Sequence, residues 1–154
     1  MSDEAGASTQ RLKVRDLTIA TTSRGAEVVQ SVSFDVGPGE VLGIVGESGS
    51  GKSVTALATM GLLPRSAEVR GSIRFGGREL LELKEKELTK VRGTGIAMIF
   101  QDPMTSLNPV YTIGWQIAEA ILAHQDVSKE AAQARAIELL AKVGIPNPAE
   151  RINN

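Results

Sequence analysis

The sequence predicts an α/β fold, and three observations lead to that prediction. Apolar residues alternate with polar ones near the start of the chain, which is the period of half-buried strands. Two short runs, residues 41–45 and 96–100, are continuously apolar, as expected of parallel strands covered on both faces. Apolar residues then recur at helical spacing after residue 53. We therefore expect an antiparallel ribbon, followed by a parallel core with helices.

Composition limits the class of protein. The chain has 154 residues and a formal net charge of -1, so it can form one domain, or one and part of a second. A near-balanced charge does not suggest a surface that follows nucleic-acid phosphates. With no cysteine and a single histidine, the sequence excludes disulfides, thiolate metal sites and histidine clusters. Its apolar runs fall far short of the ~20 residues that span a bilayer, so we expect any membrane role to be peripheral.

The predicted ribbon follows a flexible N-terminus, residues 1–10, which has neither the basic nor the apolar part of a secretory signal. Residues 21–25 are predicted to form a polar turn between its two strands. The breaker Gly37-Pro38-Gly39 predicts a sharp turn after the second strand, because the proline cannot donate to a ladder. The alternating apolar residues of the two strands are Leu12, Val14, Leu17 and Ile19, and then Val32, Phe34 and Val36.

Residues 46–53 carry the most specific motif, a glycine, any four residues, a glycine, a lysine and then a serine or threonine. Its glycines let backbone N–H groups turn inward and form an anion cradle at a helix N-terminus. Lys52 would bridge the β- and γ-phosphates of a nucleotide, and Ser53 would offer its hydroxyl to Mg²⁺. Nucleotide binding is the favoured interpretation, with a Rossmann dinucleotide site and a plain glycine-rich turn as alternatives. The candidate phosphate-binding residues are Gly46, Glu47, Ser48, Gly49, Ser50, Gly51, Lys52 and Ser53.

Helical spacing predicts four helices. The first starts at the loop and stops before Pro64, and the second covers residues 82–92. A short strand around Ile73 and Phe75 separates them and ends at two glycines. Ser128 is a candidate N-cap for the fourth helix, which Gly144 should end. The apolar stripes of the last two helices are Ile113, Ile117, Ala120 and Ile121, and then Ala136, Leu139, Leu140 and Val143.

A phosphate loop is only part of a hydrolytic site, because hydrolysis also requires a group near Mg²⁺ and one that positions the attacking water. Gln101 and Asp102 follow the second apolar run, and polar groups at the carboxyl end of a strand often face a ligand. Gln101 is the favoured residue to reach metal or water. Asp102 as a metal anchor and a simple loop cap for both residues remain open.

Three segments together resemble the ATP-binding subunits of ABC transporters, particularly the bacterial oligopeptide, dipeptide and nickel importer group. They are residues 46–54, residues 60–63, and residues 100–109, which are similar to the Q-loop segment of that group. The resemblance implies an ABC-type P-loop NTPase core with an N-terminal antiparallel β ribbon and the beginning of a helical subdomain. It adds Val54 to the nucleotide contacts, assigns Lys52 and Gln101 to catalysis, and assigns Ser53 and Gln101 to Mg²⁺.

The same resemblance implies function and partners. The complete subunit would bind ATP and Mg²⁺ and energise import of peptides, nickel or a similar solute from the cytoplasmic face of the membrane. Residues Met104 to Tyr111 would contact transmembrane permease subunits, a second ATP-binding subunit would complete the site, and a solute-binding protein would act indirectly. Residues 11–109 would be a partial nucleotide-binding core and residues 110–154 part of the helical subdomain.

Two departures from the family pattern qualify these expectations. The signature motif, the Walker B aspartate with its catalytic glutamate and the switch histidine of the family have no match in these 154 residues, so we expect a truncated fold. The stretch at residues 20–23 lacks the aromatic residue that stacks on adenine in the family. A non-catalytic nucleotide-binding fragment and a small self-contained P-loop NTPase that uses Asp102 therefore remain alternatives.

Overall fold

The computed structural model describes residues 11–21, 26–100 and 107–153. The chain divides into two compact units, Met1–Ala97 and Met98–Asn154, and each is described by itself. The flexible N-terminus predicted for residues 1–10 and most of the polar turn predicted at residues 21–25 lie outside the described residues. The predicted division at residue 109 stays a prediction, because compactness alone does not identify a nucleotide-binding core.

The first unit is built on a four-stranded antiparallel sheet, in the order β2-β1-β3-β4. Strands β1 and β2 are the predicted ribbon, which is confirmed, with Val14 opposite Phe34 and Leu12 opposite Val36. The turn after β2 is also confirmed, since the Glu40 N–H donates to the Gly37 carbonyl over 3.1 Å. The strands are β1 (Leu12–Thr21), β2 (Ala26–Val36), β3 (Ala67–Phe75) and β4 (Arg78–Glu79).

The core of this unit lies on one face of the sheet. Val14, Leu17, Ile19 and Ile73 are fully buried there. Val14 and Leu17 are an odd number of positions apart, and the irregularity of β1 between them, where Asp16 has φ of 48°, lets both join the same cluster. Ala58 joins them from the first helix, so the sheet and that helix share one apolar cluster. Burial of each large apolar side chain contributes about 1.5–3 kcal/mol to folding. This cluster therefore stabilises the position of the first helix on the sheet.

The two apolar runs do not form the central parallel strands predicted for them. Among the described residues of both runs, none lies in a strand, and Val41, Val45 and Ile99 are 98%, 96% and 99% exposed. A strand forms only where neighbouring backbone groups can hydrogen-bond to it. A continuously apolar run indicates that its side chains favour burial, but it does not identify a neighbouring strand. Within the described part of the chain no strand pairs with either run, so the prediction is wrong for this structure.

Among the described residues of the first unit two helices follow the ribbon, α1 (Lys52–Thr59) and α2 (Glu85–Val91). The first confirms the helix predicted after the loop. The second is shorter than the predicted residues 82–92, because a turn through Leu80 to Leu83 comes first, with the Leu83 N–H donating to the Leu80 carbonyl over 3.2 Å.

Glu79 closes the turn between β3 and β4. Burial raises the pKa of Glu79, but hydrogen bonds outweigh burial and bring that pKa below the ordinary value of 4.5. The Ser72 hydroxyl donates to its carboxylate, as do the N–H groups of Ile73 over 2.9 Å and Leu81 over 3.3 Å. Arg74 adds a weaker attraction at 3.9 Å. This carboxylate satisfies backbone groups that the short strand β4 leaves unpaired.

The second unit contains α3 (Ile113–Leu122), α4 (Lys129–Lys142) and α5 (Pro148–Arg151). The predicted N-cap is confirmed, since the Ser128 hydroxyl accepts the Ala131 N–H over 3.2 Å. Gly114 lies against Ile152, and its N–H donates to the Ile152 carbonyl over 2.8 Å. No helix among the described residues is long and apolar enough to cross a membrane.

Candidate phosphate-binding site

The loop at residues 46–53 leads directly into α1, as the motif requires. The Ser50 N–H donates to the Glu47 carbonyl over 3.2 Å and closes a turn in the middle of the loop. Gly49 and Gly51 have φ angles of 84° and 89°, in the left-handed region that favours glycine. The loop therefore bends twice within three residues and enters the helix with its N–H groups at the positive end of the helix dipole.

Gly51 is also a point of close approach between the loop and the sheet. A Cβ atom at this position would lie 2.7 Å from the Val28 carbonyl oxygen and 2.8 Å from Cγ2 of Val29. Both contacts are shorter than real Cβ atoms make, and one of them is with backbone that cannot turn aside. The glycine of the motif thus allows β2 to fix the start of α1.

Lys52 closes over the loop instead of extending into solvent. Its Nζ donates to the carbonyl oxygens of Gly46 and Glu47, both over 2.7 Å, and to the Ser50 hydroxyl over 3.3 Å. An ammonium has three donors, and these three contacts use all of them. The cation is thereby held at the centre of the loop, where an incoming anion would meet it.

The three residues after Lys52 differ in their exposure to solvent. Ser53 is exposed, while Val54 is half-buried and packs against the core cluster of the sheet. Thr55 is buried, and its hydroxyl donates to the Gly51 carbonyl over 2.9 Å beside the backbone bond from its own N–H over 2.8 Å. Sequence reasoning missed Thr55. The available signal was its position four residues after the last glycine, where a hydroxyl can reach back one helical turn.

A cleft of about 470 Å³ lies between β2 and the loop. Its walls are mostly apolar, with Val28, Val32 and Phe34 on the β2 side and Leu42 and Ile44 facing them. Gly46, Ser50 and Lys52 line its polar end. A mostly apolar cleft with a few convergent polar groups is the usual form of a small-molecule site.

Several predicted site residues cannot be placed relative to the loop. Gln101 and Asp102, and residues 104–106 of the predicted permease contact, lie outside the described residues. Of the rest of that contact, Val110 is 81% exposed, and the Tyr111 ring stacks on Trp115 with ring centroids 4.4 Å apart. Within the described ranges no group of three or more acidic, histidine or cysteine side chains could hold a metal ion. The roles predicted for Gln101 stay predictions.

Sequence relatives of this chain are ATP-binding proteins of peptide transport. It is 52% identical over 149 residues to the oligopeptide transport ATP-binding protein OppD of Bacillus subtilis strain 168, covering 94% of this chain and 42% of that protein. It is 53% identical over 126 residues to the dipeptide transport ATP-binding protein DppD of Escherichia coli K12, covering 81% of this chain and 38% of that protein. The chain thus spans less than half the length of these relatives.

A solved structure and a family model agree with those relatives. The structure is the ATP-binding cassette MJ0796 as a dimer in a post-hydrolysis state bound to ADP and Pi, with a TM-score of 0.71 and 23% identity. It covers 93% of this chain and 60% of that chain and shows an α/β ATP-binding-cassette fold. The family model, described as ABC transporter, matches residues 29–154. Because that match takes in the phosphate loop and most of the sequence, the chain belongs to the ABC transporter family.

Proposed function

We propose that this chain binds ATP and Mg²⁺ through residues 46–54, as part of an ATP-binding subunit that energises peptide import. The observation that carries this proposal is the position of Lys52, whose ammonium lies across the loop at the start of α1. The residues present fit a phosphate group. The Lys52 ammonium and the Ser50 hydroxyl meet inside the loop, 3.3 Å apart, and a Cβ atom at Gly46 would lie 2.6 Å from that hydroxyl, so glycine there leaves room for these two phosphate-binding groups.

Each loop residue has a role in the proposed site. Lys52 would exchange its bonds to the Gly46 and Glu47 carbonyls for bonds to the β- and γ-phosphates, trading neutral acceptors for charged ones. The backbone N–H groups of residues 47–53 would bind phosphate oxygens at the positive end of α1. The exposed Ser53 would present its hydroxyl to Mg²⁺. When bound, Mg²⁺ would neutralise charge on the transferring phosphoryl group.

The remaining parts of the function belong to the whole subunit. We propose Gln101 as the residue that contacts Mg²⁺ or the attacking water, on its resemblance to the Q-loop glutamine. The relatives named as ATP-binding proteins of peptide transport support ATP use in that process. We propose pairing with a second ATP-binding subunit, and contact with transmembrane permeases through residues 104–111, on the resemblance of those residues to the ABC importer group. We propose a location at the cytoplasmic face and an indirect role for a solute-binding protein on the resemblance to ABC importer subunits.

Calorimetry with MgATP and MgADP tests nucleotide binding by the 154-residue chain. Lys52→Ala should weaken binding at least about tenfold, because a charge-assisted bond to phosphate contributes more than 1.4 kcal/mol. Lys86→Ala is the matched control, since Lys86 is an exposed lysine on α2. Equal affinity of the wild-type chain and Lys52→Ala would contradict the proposed site.

Turnover measurements separate binding from catalysis. Sustained phosphate release by the chain, abolished in Lys52→Ala, would show that it completes a site alone. Binding without turnover would assign hydrolysis to the longer subunit. If Asp102→Asn removed turnover while Gln101→Ala kept it, the metal role proposed for Gln101 would be wrong.

A further inference from the structure

The carbonyl end of α1 is closed by a glycine. Gly61 follows the cap residue Met60 with φ of 61°, the left-handed conformation that ends many helices. The Leu62 N–H donates to the Leu57 carbonyl and the Gly61 N–H to the Ala58 carbonyl, each over 3.0 Å. This pair of bonds stops the helix and leaves the carbonyls of Met60 and Gly61 to find partners elsewhere.

Arg92 supplies those partners from a distant part of the sequence. Its Nε donates to the Met60 carbonyl over 2.7 Å, and its Nη2 donates to the Gly61 carbonyl over 2.9 Å. Its Nη1 donates to the Glu85 carboxylate, so all three guanidinium nitrogens are engaged. The Arg92 side chain is only 20% exposed. The positive charge of Arg92 also interacts favourably with the negative end of the α1 dipole.

Glu85 and the end of α2 hold Arg92 in place. The hydrogen bond from Arg92 lowers the pKa of Glu85 from its ordinary value, which keeps the carboxylate ionised beside the guanidinium. The Arg92 N–H donates to the Leu88 carbonyl over 2.9 Å at the end of α2. The arginine therefore starts from α2 and binds the end of α1.

Space around this contact is tight. A Cβ atom at Gly61 would lie 2.9 Å from Cδ1 of Leu88 and 3.3 Å from Nη2 of Arg92. Leu88 itself packs against the core cluster of the sheet. One end of α1 is thus held between Arg92 and Leu88, and the other end is held where Gly51 meets Val28.

We propose that Arg92 is a positioning residue for the phosphate loop, acting through α1. Because α1 has eight residues, or about 12 Å, it moves as a short rod, and a displacement at its carbonyl end reaches the loop. Arg92 fixes that end and so keeps the loop N–H groups aligned. The inference rests on the proposed nucleotide binding, and the contacts of Arg92 that carry it are those with Met60, Gly61 and Glu85.

Binding measurements on Arg92 variants test the proposal. Arg92→Ala should lower the affinity for MgADP and MgATP about fivefold or more, the usual lower range of coupling between two sites. Arg92→Lys keeps the charge but cannot reach two carbonyls and a carboxylate together, so its affinity should be intermediate. Methylguanidinium at millimolar concentration should restore binding to Arg92→Ala. Arg70→Ala is the control, because Arg70 is an exposed arginine paired with Glu68 on β3.

Amide hydrogen exchange without nucleotide gives a second readout. The Thr55 amide, which donates to the Gly51 carbonyl, and the amides of residues 46–52 should exchange faster in Arg92→Ala than in Arg70→Ala. Wild-type affinity in both Arg92 variants, with unchanged exchange, would overturn the proposal. If Arg92→Ala does not fold, the nucleotide affinity and amide exchange of Arg92→Lys test the proposal instead. If the wild-type chain binds no nucleotide, the proposed function fails and exchange alone decides the role of Arg92.

Discussion

The carbonyl oxygen of Val28 lies only 2.7 Å from the place that a Cβ atom would take at Gly51. The contact joins β2, the second strand of the predicted ribbon, to the last glycine of the phosphate loop. Both features are recognisable in the sequence, but their proximity is not. The start of α1 is therefore fixed by a tertiary contact as well as by its own hydrogen bonds.

Gly51→Ala should destabilise the first unit and abolish nucleotide binding. A left-handed φ costs a residue with a side chain about 1–2 kcal/mol, and the clash with Val28 adds to that cost. Gly39→Ala is the control, because Gly39 has φ of 73° and open space around its Cβ position. Urea unfolding should show a larger loss for Gly51→Ala than for Gly39→Ala, and equal losses would contradict the role of the contact.

Thr55→Val should weaken nucleotide binding in addition to stability. The substitution keeps the shape of the side chain and removes the bond from its hydroxyl to the Gly51 carbonyl, worth about 1 kcal/mol. Thr59→Val is matched to it, because the Thr59 hydroxyl donates to the Ala56 carbonyl over 2.7 Å one turn further from the loop. Calorimetry should find lower affinity in Thr55→Val alone. Equal affinities would mean that the Thr55 hydroxyl serves only the helix.

Glu79 should contribute to stability above its unfolded pKa and lose that contribution in acid. Its folded pKa is lowered, so between the folded value and the ordinary value of 4.5 the unfolded state binds more protons, and stability rises with pH there. Glu79→Gln should therefore be less stable near neutral pH, by about 1 kcal/mol, and its stability should fall less steeply below pH ~4.5. Urea unfolding across that range measures both slopes, and parallel slopes would count against the prediction.

Gly114→Ala should destabilise the second unit. A Cβ atom there would lie 2.2 Å from Cγ1 of Ile152 and 2.8 Å from its carbonyl oxygen, and such overpacking typically costs about 1–3 kcal/mol. Adding Ile152→Ala removes the side-chain clash and leaves the backbone one. A double-mutant cycle should show that the second substitution costs less in the Gly114→Ala background than alone. Simple additivity would contradict the predicted clash with the Ile152 side chain.

Local patterns were sufficient to predict much of the fold. The alternation around Val14 and Phe34 predicted a ribbon, and the serine before α4 predicted its N-cap, because each depends on neighbours close in sequence. The phosphate loop was recognisable for the same reason, since its glycines and Lys52 fall within eight residues.

Features that depend on distant residues were missed. The runs at residues 41–45 and 96–100 have strand-like composition, but among the described residues only Ile96 has a partner, in a single bridge to Arg92, and composition cannot supply a neighbouring strand. Arg92 reaches Met60 and Gly61 across about thirty positions of sequence, so nothing next to it in the chain indicates its role. Its part in the site follows only from the folded geometry.

The stacked pair in the second unit provides an optical probe. The sequence contains one tryptophan and one tyrosine, Trp115 and Tyr111, and they are the two stacked residues. Intrinsic fluorescence of this protein therefore reports on the surroundings of α3 alone, with the tyrosine transferring its excitation to the indole. A change in emission during urea unfolding would therefore follow the second unit and not the unit that carries the phosphate loop.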